Sequence, residues 1–172
     1  MKKVVAVLVS IAILVTLAAC GGSGGSSSGG QGSSVSENDA IAAFVVVQTV
    51  VFTSSMMIAF GQQIDGVSVG DDGTVTYDNV SVVSVMEAMG GTAEDNLPDV
   101  AYTTMSGTMS ESDGGALVDV TLAGGPVSSM KFTLTEEMFA SGEEDQSTNV
   151  SVEVNGRQME LEITPEKLQA IM

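Results

Sequence analysis

Between Ala40 and Ile64 the chain carries no charged residue for 25 positions, and Ser36-Glu37-Asn38-Asp39 stands immediately before that run. Ser36 suits an N-cap, and Glu37 and Asp39 suit the positive end of a helix dipole, so the pattern predicts a helix starting there. The run is long enough to span a bilayer, and its β-branched Val45-Val46-Val47 and Val50-Val51 also suit strands. Against a span stand seven polar interruptions, with Gln48, Ser55 and Gln62 recurring every seven residues on one side, and flanks that are acidic instead of basic. The reading taken is a central helix wrapped by the rest of the domain; a membrane span and strands are its alternatives. A helix apolar around most of its circumference needs cover on more than one side.

Hairpins supply that cover, and their registers can be derived from period-two alternation. Val67 and Val69 alternate ahead of Gly70-Asp71-Asp72-Gly73, and Val75 and Tyr77 alternate after it. A three-residue loop with Gly73 left-handed sets Val69 opposite Val75 and Val67 opposite Tyr77, whereas a two-residue turn splits the apolar face. A type I′ turn at Asp113-Gly114 pairs Met109 with Val118, Gly107 with Val120 and Met105 with Leu122, leaving Thr108 opposite Asp119. Gly124-Gly125-Pro126 breaks the ladder, and an odd-length loop there sets Leu122 against Met130, Val120 against Phe132 and Val118 against Leu134. Lys131 then lies opposite Thr121 and diagonal to Asp119. Asn155-Gly156 between alternating runs pairs Val152 with Met159 and Val150 with Leu161. Thr164-Pro165 opens a short final helix with Leu168, Ile171 and Met172 on its buried side.

Two stretches are less ordered in pattern. Val82, Val83, Val85, Met86 and Met89 read either as a short helix stopped by Gly90-Gly91 or as a continuation of the preceding strand. Residues 90–99 read as a loop, and the acidic, turn-rich residues 136–148 as an exposed excursion. The whole is an α+β domain: one long apolar N-terminal helix against a mostly antiparallel meander of about six to seven strands, with a short C-terminal helix.

Charge changes the picture of what the domain meets. All 22 acidic residues lie beyond residue 20, where they face only Lys131, Arg157 and Lys167, a net charge of −19. Such a surface repels phosphate backbones and anionic headgroups, so nucleic-acid binding is not expected. Cys20 is the one cysteine, so no disulfide forms within the chain and stability comes from packing. Residues 21–35, GGSGGSSSGGQGSSV, are a flexible tether with a root-mean-square span of roughly 20 Å.

The N-terminal pattern explains the tether. Lys2 and Lys3 precede an uncharged stretch from Val4 to Ala19, which has the form of a secretory signal peptide. Its sixteen residues fall short of the roughly 20 that a transmembrane helix needs. Leu17-Ala18-Ala19-Cys20 resembles the lipobox of bacterial lipoproteins. That resemblance implies transfer of a diacylglyceryl group to the Cys20 sulfur, cleavage before Cys20 and acylation of the new amino group. It also implies residence in the cell envelope, and Gly21 after the cysteine implies the outer membrane in a diderm host. Only the thiolate of Cys20 has the nucleophilicity this transfer requires. Stable anchoring takes about two acyl chains, and the glyceride carries two.

Candidate chemistry in the domain is sparse. The chain has no His and no Trp, which removes His-dependent triads and His/Cys metal sites. Gly21-Gly22-Ser23-Gly24-Gly25 fits the G-x-S-x-G pattern but lies in the tether, with neither the strand-to-helix turn nor the His that this chemistry uses. Asp71-Asp72-Gly73 and Ser112-Asp113-Gly114 lack the spacing of a calcium loop. The remaining acids fall in turns and on outward strand positions, as a solvated surface does. No cofactor and no metal are therefore expected. Methionine is the one distinctive interior feature: Met56, Met57, Met105, Met109, Met130 and Met159 all fall on positions expected to face the helix–sheet interior. Methionine fills irregular gaps in a core and also lines adaptable apolar pockets. The expectation is a non-catalytic, membrane-anchored envelope protein working by protein contacts or as a structural component. Its alternative is a carrier whose methionines line a cavity for a lipid or other apolar ligand, similar in architecture to periplasmic lipoprotein carriers.

Overall fold

A computed structural model describes residues 35–88, 102–135 and 147–171. The chain runs α1 (Glu37–Ala59), β1 (Val67–Val69), β2 (Val75–Ser81), α2 (Val82–Ala88), β3 (Thr104–Ser112), β4 (Gly115–Ala123), β5 (Ser129–Leu134), β6 (Thr148–Val154), β7 (Arg157–Ile163) and α3 (Pro165–Ile171). The strands form one seven-stranded antiparallel sheet in the order β1 to β7. The fold is α+β, with the apolar helix packed into the sheet's inner face.

Helix α1 begins where the sequence pattern places it. The Ser36 hydroxyl accepts from the Asp39 N–H at 3.1 Å, and the Asp39 carboxylate accepts from the Ser36 N–H at 3.3 Å, a capping box with Asp in the reciprocal role. It ends earlier than the uncharged run. Gly61, at φ 72°, donates its N–H to the Ile58 carbonyl, and Gln62 donates to the Met57 carbonyl. This Schellman closure depends on the left-handed freedom of glycine. The β-branched valines stay helical because Val46, Val47, Val50 and Val51 are all buried, and tertiary packing outweighs their propensity. Thr49, Ser54 and Ser55 donate to the carbonyls of Val45, Val50 and Val51 at 2.7–2.8 Å, so three hydroxyls enter or border the core with partners.

The helix crosses the sheet obliquely. Glu37 meets the segment after β7 through Lys167, Phe44 packs on Phe132 of β5 with ring centroids 4.9 Å apart, and Ser54 meets the Tyr77 hydroxyl of β2 at 3.2 Å. Five consecutive residues, Ala40 to Phe44, are buried, which takes cover on several sides; α2 and α3 pack on α1 along with the sheet. The membrane-span and strand alternatives for this segment thus give way to a core helix, although its length and composition alone would let it cross a bilayer.

Most derived registers are found. Val67 faces Tyr77 and Val69 faces Val75, with Gly73 at φ 85°. Met105, Gly107 and Met109 face Leu122, Val120 and Val118. Val150 and Val152 face Leu161 and Met159, across an Asn155-Gly156 turn in which both residues have positive φ. The segment after β2 is a helix, and Thr164 caps α3 by accepting from the Lys167 N–H. Leu168 and Ile171 are half-buried against the core, while Met172 lies outside the described residues, as do the 90–99 loop and most of the acidic excursion.

Two details correct the sequence reading. The Asp113-Gly114 turn has positive φ only at its glycine, so it is not type I′ although it keeps the expected register. Between β4 and β5 the pairing slips by two: Val118 faces Phe132, Val120 faces Met130 and Asp119 faces Lys131. The slip arises because Val127, although in the loop, belongs to the core. It is fully buried, and its N–H donates to the Tyr102 hydroxyl at 3.3 Å. The Leu122 N–H donates to the Ser128 carbonyl at 3.0 Å and closes a five-residue loop, whose Gly125 leaves room for the Tyr102 ring. A two-residue slip changes partners and preserves the inward face.

Candidate functional site

The candidate lipobox residues Leu17, Ala18, Ala19 and Cys20 lie outside the described residues, which begin at Val35. The described chain enters the domain at Val35 and the Ser36 cap, at the N-terminal end of α1. Beside that entry Lys167 reaches both Glu37, at 2.8 Å, and Glu162 of β7, at 3.2 Å. The lysine hydrogen bond holds the Glu37 carboxyl below its ordinary pKa, with a further contribution from the Glu162 backbone N–H. Glu37 in turn raises the Lys167 ammonium. Sequence reasoning missed this three-element junction, because nothing in local spacing links residue 37 to residues 162 and 167.

The six candidate methionines divide by position. Met105, Met109 and Met130 are buried in the sheet's inner face at 0–2% exposure, among the valines and aromatics of one continuous core. Met159 is half-buried and packs on that core, while Met56 and Met57 are half-buried near the end of α1. An open groove of about 410 Å³ lies on the opposite, solvent-facing side of the sheet. It follows the line where β5 and β6 stop pairing after Phe132 and Val152, and its lining includes Leu117, Lys131, Thr133, Thr135 and Ser151. None of the six methionines borders it.

Polar organisation elsewhere is structural. The Asn155 side-chain Oδ1 accepts from the Ser128 N–H, the Ser129 N–H and the Ser128 hydroxyl at 2.8–3.0 Å, tying the β6–β7 turn to the β4–β5 loop. The sequence shows the Asn-Gly turn but not this second task of its side chain. Lys131 bonds Asp119 directly across the ladder at 3.0 Å, and that bond raises the lysine pKa. Asp72 is held below its ordinary pKa by the Thr74 N–H, so it serves its own turn. Tyr77 and Tyr102 are pushed up to about 12, chiefly by burial. Among the described residues, no three His, Cys, Asp or Glu side chains converge on a point where they could hold a metal ion.

The sheet has two edges, and they differ. β1 is only three residues long. β7 is seven residues long and pairs with β6 alone among the described strands. Compared with protein-family models, with curated proteins and with solved structures, the chain shows no match.

Proposed function

We propose that this chain is a lipid-anchored, non-catalytic protein of the bacterial cell envelope that acts through contacts with other proteins. The observation that carries the proposal is Leu17-Ala18-Ala19-Cys20, closing the uncharged stretch that follows Lys2 and Lys3 and standing before a Gly/Ser tether. Two acyl chains on Cys20 hold the protein on the membrane, each buried methylene contributing roughly 0.8 kcal/mol. The tether gives the domain reach, and its net charge of −19 keeps it off anionic headgroups. The apolar helix is consumed by the domain's own core, so the lipid alone is left as the membrane contact. With no histidine in the chain, the domain is read as a surface for recognition and not as a reaction site.

A second reading has one observation in its favour: Met105, Met109, Met130 and Met159 gather along the inner face under α1. Were that interior able to open, it would suit an apolar ligand. The full burial of three of the four among tightly packed neighbours favours the first reading.

The anchor is tested by replacing Cys20 with Ser. The variant is expected to accumulate as an unprocessed precursor without lipid, read by intact mass and by globomycin-insensitive migration. Normal cleavage and membrane retention of the variant would defeat the assignment.

A further inference from the structure

The β7 edge offers more than an end to the sheet. Its hairpin with β6 closes through the two-residue Asn155-Gly156 turn, with Val154 facing Arg157, Val152 facing Met159 and Val150 facing Leu161. In such a hairpin the pair flanking the turn is hydrogen-bonded and the bonded pairs recur every second residue. The backbone N–H and C=O groups of Gln158, Glu160 and Glu162 therefore point away from β6, toward the open edge. At the upper end of the edge Lys167 bonds both Glu37 and Glu162, at 2.8 and 3.2 Å, and so brings the start of α1 beside it. The start of α1 thus stands at the upper end of the edge, and among the described residues no strand but β6 pairs with Gln158 and Glu160 below it. Strand β7 contains no proline, and its ladder with β6 runs from Arg157 to Ile163 without a bulge.

Side chains along the same edge set the partner's chemistry. Gln158, Glu160 and Glu162 are exposed on the outer face, and Glu153 stands beside them on β6. On the other face Leu161 is buried and Met159 only half-buried. Antiparallel pairing of two β7 strands about their centre would set Glu160 against Glu160, and like charges directly opposite are destabilising. A second copy is thereby disfavoured. We propose that the β7 edge binds an extended segment of another protein that alternates Lys or Arg with apolar residues. Its basic side chains lie along Glu160 and Glu153, its apolar side chains cover Met159, and its backbone bonds Gln158 and Glu160. This names the partner for the recognition role proposed above and rests on that role.

The test uses the full lipidated chain in detergent micelles, with hydrogen exchange read by NMR residue by residue. The probe is a blocked octapeptide alternating lysine and valine. Amide exchange at Gln158 and Glu160 is expected to slow at least tenfold with the peptide, with β1 unchanged. A peptide of the same charge with proline in place of its central valines is expected to give no protection. Glu160→Lys is expected to lose the response to the lysine peptide and to gain one to a glutamate–valine peptide. No slowing at saturating peptide, equal slowing by the proline control, or protection that grows with protein concentration in the absence of peptide would each overturn the inference. Intact mass on the same sample separates the two readings. Lipid on Cys20 with an unresponsive edge removes this inference alone, whereas a lipid-free chain removes the anchor.

Discussion

Tyr77 shows how a single residue decides the character of this core. Its ring sits at 2% exposure opposite Gly107 of β3, where an added Cβ would collide with the β4 backbone. Its hydroxyl meets Ser54 of α1 at 3.2 Å, and burial pushes its pKa from 10.0 up to about 12. Folding therefore favours the neutral phenol. That contribution is complete below pH 10 and is lost as pH rises through about 12, an alkaline loss of about 2–3 kcal/mol for two units. Tyr77→Phe is expected to cost about 1 kcal/mol at pH 8, since Ser54 keeps its bond to the Val50 carbonyl. The variant should also lose less stability than the parent between pH 9 and pH 11.5, with Tyr102 supplying part of what remains. Urea midpoints at the two pH values measure both effects, and an identical alkaline loss in parent and variant would refute the role given to Tyr77.

Between elements, the question is whether helix and sheet close on each other without space. Met105 has no exposure and sits between Val80 and Leu122 in the ladder. In a solid core, Met105→Phe overpacks the site and is expected to cost roughly 1–3 kcal/mol. Native mass spectrometry should then find no acyl ligand in either form. A co-purified ligand whose load falls in the Phe variant, with stability held or raised, would support the carrier reading instead. Legibility in the sequence follows the same boundary between local and distant. Turn residues fixed the registers at residues 70–74 and at Asn155-Gly156, because a short loop constrains its own flanks. The β4–β5 pairing escaped by two residues because Val127 was claimed by the core and by Tyr102, a residue 25 positions earlier in the chain. The Glu37–Lys167–Glu162 junction escaped for the same reason, and with it the place of the α1 start at the upper end of the β7 edge. The proposed lipobox is a linear pattern read from the sequence alone, and it lies outside the described residues.

For the whole molecule, one assignment supports the others: the 23-residue apolar helix belongs to the interior, which leaves anchoring to the lipid proposed on Cys20. The helix is long and apolar enough for a bilayer, yet twelve of its residues are buried against the sheet and the two short helices. If it is core, the domain needs no membrane once the tether is cut, and an acidic surface with a net charge of −19 keeps it in solution. The most direct measurement is the partition of a fragment starting at Ser34 between buffer and lipid vesicles, made without detergent. The fragment is expected to stay in the buffer as a monomer that unfolds in one cooperative transition. Sedimentation with the vesicles, or folding that appears only when detergent is added, would make the helix a membrane span and contradict the account.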